Sequence, residues 1–533
     1  MKKLLYSTLL VCTLSTTAVT QPVISAQKDL GGSDLDFFTS MALTTDGGRI
    51  AGGYSISNIS GQKTENSRGA FDYWIVKLDS TNKIEWDKTL GGNDIDILTT
   101  IQQTSDGGYM LGGYSFSNAS GEKKQNSRGS ADYWIVKLDS RGNIQFDKTI
   151  GGNSFDNLFA LQQTSDGGYI LGGTSFSNKS GNKTEDSRGG TDYWVVKLNS
   201  KGTIEWNKTI GGNDDDDLAA LQQTSDGGYI LGGISFSNSS GEKAENSKGV
   251  ADYWVVKLNS NGSKQWDKTI GGSGYDQLNA LQQTKDGGFI LGGHSFSNIS
   301  GDKTENNRGG ADYWVVKLGS IGNIQFDKTF GGDDLDIPNA LQQTSDGGYI
   351  LGGRSFSNKS GDKTENNRGN EDYWIVKLNN KGNKQWDKTI GGNNSDECFS
   401  IKETSKNRYV AGGYSLSNAS GDKTSKSKGD KDYWLVDILF KTASPTIAAT
   451  TESIDAAKTH LTTFMVYPNP AKDVLHIQTL DKSIISLTDA LGKTVFTHTI
   501  TGKEDISISQ LPTGVYYIKN HTTGEVSKVL IER

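Results

Sequence analysis

Hydrophobic and polar positions alternate along this chain in short runs, and the whole pattern returns every 60 residues. Its clearest marker is a tryptophan inside an Asp-Tyr-Trp triplet, at Trp74, Trp134, Trp194, Trp254, Trp314, Trp374 and Trp434. A fixed period of this length indicates one structural unit copied in series. Because each tryptophan lies in an alternating run, we expect it to pack inside the unit and not to bind a ligand.

One repeat, residues 91–150, predicts four strands. Two half-apolar runs within 98–117 are separated by a Ser-Asp-Gly-Gly turn. A long polar stretch, 118–131, is followed by a β-branched and aromatic run at 132–139 and by a last strand at 144–150. Four short strands repeated in this way are typical of a β-propeller blade, so the pattern predicts an all-β fold with seven blades.

The two ends of the array predict a closed ring over residues 27–440. The last copy ends after Phe440 without a fourth strand, whereas segment 27–30 resembles segment 87–90, and both precede a Gly-Gly pair. Pairing the first segment with the last copy would complete the seventh blade and remove two exposed sheet edges. A linear β-solenoid is the alternative, although it needs no complementary ends.

The amino terminus predicts export. Two lysines precede an apolar run at residues 4–11, and small residues follow up to Ala26, which is the order of a secretory signal peptide over 1–26. Lipidation at Cys12 is the alternative. Because no other segment has the roughly 18 consecutive apolar residues of a spanning helix, no transmembrane span is expected in the rest of the chain.

Composition narrows the function further. The 55 Lys and Arg residues against 62 Asp and Glu give a net charge of -7, which is small for 533 residues and argues against a nucleic-acid partner. After removal of the signal peptide Cys398 is the one remaining cysteine, and equivalent positions in five other repeats are apolar. We therefore interpret Cys398 as a small buried side chain and not as a nucleophile.

A different composition begins after the array. Residues 441–464 are rich in Ala, Thr, Ser and Pro, which indicates a linker before a separate small β domain at 465–533. The small domain contains Tyr-Pro-Asn-Pro at 467–470, Leu-Gly-Lys at 491–493, Leu-Pro-Thr-Gly-Val-Tyr-Tyr at 511–517, and Lys-Val-Leu-Ile at 528–531.

These motifs, in this order, resemble the type A C-terminal sorting domain of type IX secretion cargo. The resemblance implies an immunoglobulin-like β-sandwich and an interaction of residues 465–533 with the type IX secretion machinery. It also implies passage across the outer membrane of a Bacteroidetes-type cell to the surface or the medium, with removal of the domain on export. It implies nothing about the activity of the array.

Seven aspartates recur at the start of the innermost predicted strand, and we expect them to surround the mouth of the central channel: Asp36, Asp96, Asp156, Asp216, Asp276, Asp336 and Asp396. Carboxylates brought together repel one another unless a cation or hydrogen bonds relieve them. Calcium would suit such oxygen ligands, with Asp34, Asp94, Asp214 or Asp334 as second ligands. The alternative, which we favour, is that each aspartate accepts hydrogen bonds from its own turn or pairs with a nearby Lys or Arg.

Basic residues recur in the long polar loop, for example Lys63 with Arg68 and Lys123 with Arg128. They would suit an anionic glycan, or they pair with the aspartates. Recurrence does not decide between these interpretations, since duplication also preserves residues without a function.

Positions at which the copies differ are better candidates for a single asymmetric site. One such position, near the start of the long loop, holds Tyr54, Tyr114, Thr174, Ile234, His294, Arg354 and Tyr414, and the residue before each Asp-Tyr-Trp triplet also varies. A lone histidine such as His294 is more often a tolerated variant than a catalyst.

No catalytic residue can be named, because the array offers no unique acid and base at a recognisable spacing. Seven similar units favour a multivalent surface module that binds a glycan or a protein, since avidity rises with copy number. A passive adhesive scaffold is the second hypothesis, and a polysaccharide-active enzyme is the third. No cofactor is expected apart from the calcium considered above.

Overall fold

The computed structural model describes residues 21–441 and 464–532, apart from residues 480, 491 and 524. Within these residues every helix or strand element is a β-strand, which confirms the all-β prediction. There is accordingly no helix in them that could span a membrane. The chain divides into two compact units, Met1–Ser444 and Pro445–Arg533. The predicted linker and most of the predicted signal peptide lie outside the described residues.

The first unit consists of seven four-stranded antiparallel sheets, each of which is one blade of a β-propeller. In blades 1 to 6 four consecutive strands pair in chain order, and the first strand of each blade is the innermost. In blade 7 the order is β1-β28-β27-β26. The strands are β1 (Pro22–Leu30), β2 (Asp36–Leu43), β3 (Arg49–Ser55), β4 (Asp72–Leu78), β5 (Ile84–Leu90), β6 (Asp96–Gln103), β7 (Tyr109–Ser115), β8 (Asp132–Leu138), β9 (Ile144–Ile150), β10 (Asp156–Gln163), β11 (Tyr169–Ser175), β12 (Asp192–Leu198), β13 (Ile204–Ile210), β14 (Asp216–Gln223), β15 (Tyr229–Ser235), β16 (Asp252–Leu258), β17 (Lys264–Ile270), β18 (Asp276–Gln283), β19 (Phe289–Ser295), β20 (Asp312–Leu318), β21 (Ile324–Phe330), β22 (Asp336–Gln343), β23 (Tyr349–Ser355), β24 (Asp372–Leu378), β25 (Lys384–Ile390), β26 (Asp396–Ser405), β27 (Arg408–Ser415) and β28 (Asp432–Phe440).

The tryptophans form the contacts between blades. Each lies in the third strand of its blade, which is buried along its length in blades 1 to 6. The Tyr73 ring packs 4.7 Å from the Trp134 ring of the next blade, and the Tyr73 hydroxyl donates to the Trp134 carbonyl at 2.9 Å. The same bond recurs at every blade boundary up to that from Tyr433 to Trp74, so seven bonds close the ring.

The seventh blade is closed as the sequence predicts. Strand β1 pairs with β28 from Leu30 back to Pro22, so it begins inside the segment assigned to the signal peptide. The Gln27 Oε1 atom accepts the indole N–H of Trp434 at 3.2 Å, in the position that an aspartate or asparagine occupies in the other blades. This pairing covers the outer edge of β28 and gives blade 7 the same four strands as the other blades.

The Gly-Gly pairs are required where one blade joins the next. A Cβ atom on Gly91 would lie 1.9 Å from the Oδ1 atom of Asp72, and one on Gly92 would lie 2.5 Å from the Cβ atom of Ser117. A larger residue would therefore displace side chains that are fully buried.

The second unit contains β29 (Met465–Tyr467), β30 (Val474–Gln478), β31 (Ser483–Asp489), β32 (Thr494–Ile500), β33 (Lys503–Ser507), β34 (Gly514–Asn520) and β35 (Val526–Ile531). A three-stranded sheet and a four-stranded sheet share one apolar core, which is compatible with an immunoglobulin-like sandwich. In the Pro-Asn-Pro motif, the Asn469 amide donates to the Lys528 carbonyl at 2.9 Å and accepts from the Leu530 amide at 2.8 Å. The motif therefore holds the terminal strand.

Candidate ligand-binding site at the channel mouth

The long loop between the second and third strands of a blade packs against the segment that enters the blade. In the second blade the Glu122 amide donates to the Gly91 carbonyl at 3.0 Å, and the Asp94 amide donates to the Ser117 hydroxyl at 2.9 Å. Both segments emerge on one face of the propeller, which we call the mouth face. The opening of the central channel on this face is called the channel mouth.

The seven recurring aspartates do not line the channel mouth, which corrects the prediction made from the sequence. Each is fully buried. The Asp96 Oδ2 atom accepts the Gly92 amide at 2.7 Å and the Ser117 hydroxyl at 3.0 Å, and the same two groups bond its six equivalents. Burial raises the pKa of this aspartate in every blade, to about 6 for Asp36 and Asp216.

This geometry is the turn-capping arrangement. The structure therefore places the seven carboxylates in separate turns and not around one ion. Across residues 21–441 and 464–532, no three His, Cys, Asp or Glu side chains are grouped so that they could hold a metal ion. Calcium binding stays a prediction, and the seven aspartates in their separate turns do not form a shared site for the ion.

The recurring lysines are also inside the blades. Lys63 and Lys123 are each at most 2% exposed. Lys123 donates to the Ser117 carbonyl and to the Ser127 hydroxyl, and the Lys63 amine lies 5.9 Å from the ring centroid of Trp74. Burial lowers the pKa of both lysines to about 8. A ligand on the surface has no access to these two amines.

The paired arginines lie between blades and are exposed. Arg68 forms a salt bridge of 2.8 Å with Glu122 of the next blade and donates to the Thr89 carbonyl at 3.0 Å. Arg128 donates to the Thr149 carbonyl at 2.9 Å. These bonds are made with the protein itself, which fits a role in joining blades.

The variable position does face the channel mouth. Each residue of the set that includes Tyr54, His294 and Arg354 is paired in register with a second variable residue, on the innermost strand. We call these inner-strand residues the mouth column: Phe37, Ile97, Asn157, Asp217, Gln277, Ile337 and Glu397. The mouth column follows the buried aspartates by one residue. It was missed in the sequence analysis, although its members differ between copies as much as the set that was chosen.

Charged side chains occupy one sector of the mouth, between blades 6, 7 and 1. Arg354 lies 2.9 Å from Glu397 and 3.6 Å from Glu371, and the Tyr414 hydroxyl donates to Glu397 at 2.5 Å. The Lys431 amine lies 3.6 Å from the Tyr414 ring centroid. Burial raises the pKa of Glu371 and lowers that of Lys431. We call these five residues the ionic sector.

Aromatic side chains occupy the next sector, in blades 1 to 3. Phe37 stacks on Tyr54 with ring centroids 4.8 Å apart, and Phe71 meets Tyr54 edge to face at 5.3 Å. These rings, with Tyr114 and Phe155, line a cavity of about 420 Å³. We call this group the aromatic sector.

The remaining wall combines polar and apolar side chains and borders a cavity of the channel with a volume of about 800 Å³. Its lining includes Asn157, Asp217 and Tyr275, and the Oδ1 atom of Asn157 is buried without a hydrogen-bond partner among the described residues. Burial raises the pKa of Asp217. Burial, with the charge of Arg354, lowers the pKa of His294 to about 4, so this ring is neutral at pH 7.

Residues 465–532 match the family of secretion system C-terminal sorting domains. This match confirms the resemblance drawn from the sequence motifs: the protein is type IX secretion cargo, exported to the cell surface or the extracellular space.

Other similarities are more distant. Regulatory protein FlaEY of Caulobacter vibrioides is 22% identical over 223 residues, a match that covers 38% of this chain and 23% of that protein. The chain thus spans less than a quarter of this relative's length. Among solved structures, the β-propeller domain of Cps50 (Swd1) from Myceliophteria thermophila matches with a TM-score of 0.40 and 8% identity, over 78% of this chain and 99% of that one. A protein of unknown function from Dyadobacter fermentans matches with a TM-score of 0.38 and 9% identity, over 80% and 100% of the two chains.

Proposed function

We propose that the exported propeller is a binding module that holds a glycan at the channel mouth. The observation that carries this proposal is the chemical difference between the sectors of one concave site. Ligand pockets combine apolar and aromatic walls with a few placed polar groups, in volumes of roughly 300–1,000 Å³. The cavity of about 420 Å³ beside the aromatic sector and the cavity of about 800 Å³ share Asn157, and both volumes fall in this range.

A glycan fits this combination better than a wholly apolar ligand. The aromatic sector offers ring faces on which the C–H face of a sugar can pack, and its Phe155 side chain is 40% exposed. Asn157 offers an unpaired carbonyl oxygen for a sugar hydroxyl. Because buried polar groups gain from hydrogen bonds, a hydroxyl-bearing ligand would satisfy this atom.

The site is single, since no two blades present the same pair of residues to the mouth. This departs from the multivalent binder that the repeat favours, in which seven equal pockets would each hold a ligand. A protein ligand and a passive scaffold are the competing functions.

A glycan array probed with the purified protein tests the proposal. Binding of oligosaccharides that is lost on Tyr54→Ala supports it, because this change removes the stacked ring of the aromatic sector. Ile321→Ala is the matched control: Ile321 is 75% exposed in a turn between the third and fourth strands of blade 5, away from the loops of the mouth face. Binding that Tyr54→Ala and Ile321→Ala affect equally, or an array without any signal, would contradict the proposal.

A further inference from the structure

Deeper in the channel, side chains of the innermost strands link one blade to the next. The free edge of each innermost strand carries backbone N–H groups, and a glutamine of the preceding blade caps one of them. The backbone N–H of Gln163 donates to the Oε1 atom of Gln102 at 2.7 Å. Four further copies of this bond, at 2.6 to 2.7 Å, are formed by Gln223 with Gln162, Gln283 with Gln222, Gln343 with Gln282, and Glu403 with Gln342.

The series is interrupted at two neighbouring positions. The residues equivalent to these glutamines are Lys402 in blade 7 and Ala42 in blade 1. A lysine ammonium has donors only, and alanine has no polar side-chain atom. The strand edges at Leu43 and Gln103 therefore receive no cap of this kind. The edge at Gln103 has a different cap nearby, since the Ile101 backbone N–H donates to the Ser40 hydroxyl at 3.2 Å.

Lys402 is also electrostatically isolated. It lines a cavity of about 340 Å³ in the neck of the channel, where every other lining residue among those described is uncharged. Within the described part of the chain its amine forms no hydrogen bond or ion pair, in contrast to the buried Lys423, which pairs with Asp29 at 3.1 Å. Burial lowers the pKa of Lys402, and no neighbouring carboxylate opposes this effect.

We propose that Lys402 and the uncapped strand edge at Leu43 form an anion site in the channel neck, which takes a small monovalent anion such as a carboxylate or a halide. An anion would supply the acceptor that glutamine supplies in the other blades, and it would neutralise a charge that is costly in a confined, uncharged channel. The site is separate from the glycan site at the channel mouth and does not depend on it.

Thermal unfolding in sodium acetate and in sodium chloride, each from 1 to 100 mM, tests the site and separates the two kinds of anion. A ligand that binds only the folded state raises the melting temperature with its concentration. We expect a rise of about 2–6 °C in at least one of the salts, beyond the rise shown by Lys402→Gln. Lys402→Gln installs the residue of five other blades, so it removes the amine and restores the cap.

Ala42→Gln is the matched control, because it introduces the same side chain in the other gap and keeps Lys402. It is expected to retain the anion response. An equal response of the wild type and Lys402→Gln in both salts would overturn the proposal. If Lys402→Gln does not fold, Lys402→Met replaces it, and calorimetric titration of the wild type that detects neither acetate nor chloride up to 100 mM would overturn the proposal equally.

Discussion

The blade interiors and the channel mouth of this propeller have opposite relations to the repeat. In the interiors the same tryptophan, tyrosine and aspartate recur in every copy and form the same bonds. At the mouth, the mouth column holds a phenylalanine, two isoleucines, an asparagine, an aspartate, a glutamine and a glutamate. The constant positions build the scaffold, and the variable positions give it one chemically uneven surface.

This comparison shows how repetition and specificity coexist in one chain. Packing between blades depends on shape, so any copy can supply the same side chains. A ligand that is not seven-fold symmetric requires differences between copies, and these occur where side chains reach the channel. Function is therefore to be sought where the copies disagree.

The largest expected effect comes from removing one tryptophan side chain from the contact between two blades. Trp194 is fully buried, packs 4.8 Å from the Tyr133 ring and donates to Asn207. Trp194→Ala should lower the free energy of unfolding by about 3–5 kcal/mol, because it leaves a cavity. Urea unfolding of this variant and of Trp314→Ala measures the effect. The two interiors share the Tyr-Trp packing and differ in the acceptor of the indole, Asn207 or Asp327, so the two values should agree to within about 1 kcal/mol. A much larger difference would contradict the equivalence of the blade interiors.

A smaller effect is expected at the closure of the ring. Asp29 and Lys423 form a buried ion pair, whereas the other blades place a threonine at the position of Asp29. Asp29→Ala should destabilise the fold by about 3 kcal/mol, because it removes the carboxylate and leaves the charge of Lys423 buried with only the Ser415 and Ser427 hydroxyls as acceptors.

Asp29→Thr gives blade 7 the residue of the other six blades, in two of which a threonine hydroxyl accepts directly from the lysine. We expect this variant to recover most of the loss seen with Asp29→Ala. Urea unfolding of both variants makes the comparison. An equal loss of unfolding free energy in the two variants would show that threonine cannot replace Asp29 in blade 7 as it does in the other blades.

The third effect is a dependence of stability on pH. Burial raises the pKa of the aspartate before each Tyr-Trp pair, to about 6 for Asp72 and Asp132 and to about 7 for Asp312 and Asp372. A carboxyl whose pKa is higher in the folded state binds protons more readily when folded, so its contribution to stability declines as pH rises from about 4 to 7. The melting temperature should therefore increase on acidification from pH 7.5 to about 5.

Below that range the direction reverses. Lys77 and the Thr44 hydroxyl hold the pKa of Asp46 at about 2, and Asp106, Asp166 and Asp226 are held at about 2 by the same kinds of partner. These carboxylates lose their stabilising bonds as pH falls from about 4 to 2. Melting curves between pH 3 and 8 measure both limbs, and Asp312→Asn should flatten the slope between pH 5 and 7. If the slope of this variant equals that of the wild type, Asp312 is not one of the groups that titrate between pH 5 and 7.

The scaffold could be predicted from the sequence for a simple reason. A period of 60 residues, a tryptophan in each copy and a terminal segment that matches the missing strand are all local patterns. Strand β1 shows how far this extends, since its pairing with the last blade was expected from four residues.

The candidate site was harder to predict, because successive side chains of a strand point to opposite faces. Asp96 and Ile97 are adjacent, yet the first is buried in a turn and the second faces the mouth. Periodicity alone does not say which of the two faces the channel. The burial of Lys63 was not predicted for another reason. Lysines are rarely buried, and only the structure shows that the Thr89 hydroxyl accepts from this lysine and that the Trp74 ring lies beside it.

Stoichiometry tests the central claim most directly, namely that seven equal blades present one site. An oligosaccharide that scores on the array is titrated by calorimetry into the purified protein. The account predicts one molecule bound per chain, with the binding lost on Tyr54→Ala. Seven molecules per chain, bound with equal affinity, would contradict it and return the function to a multivalent binder.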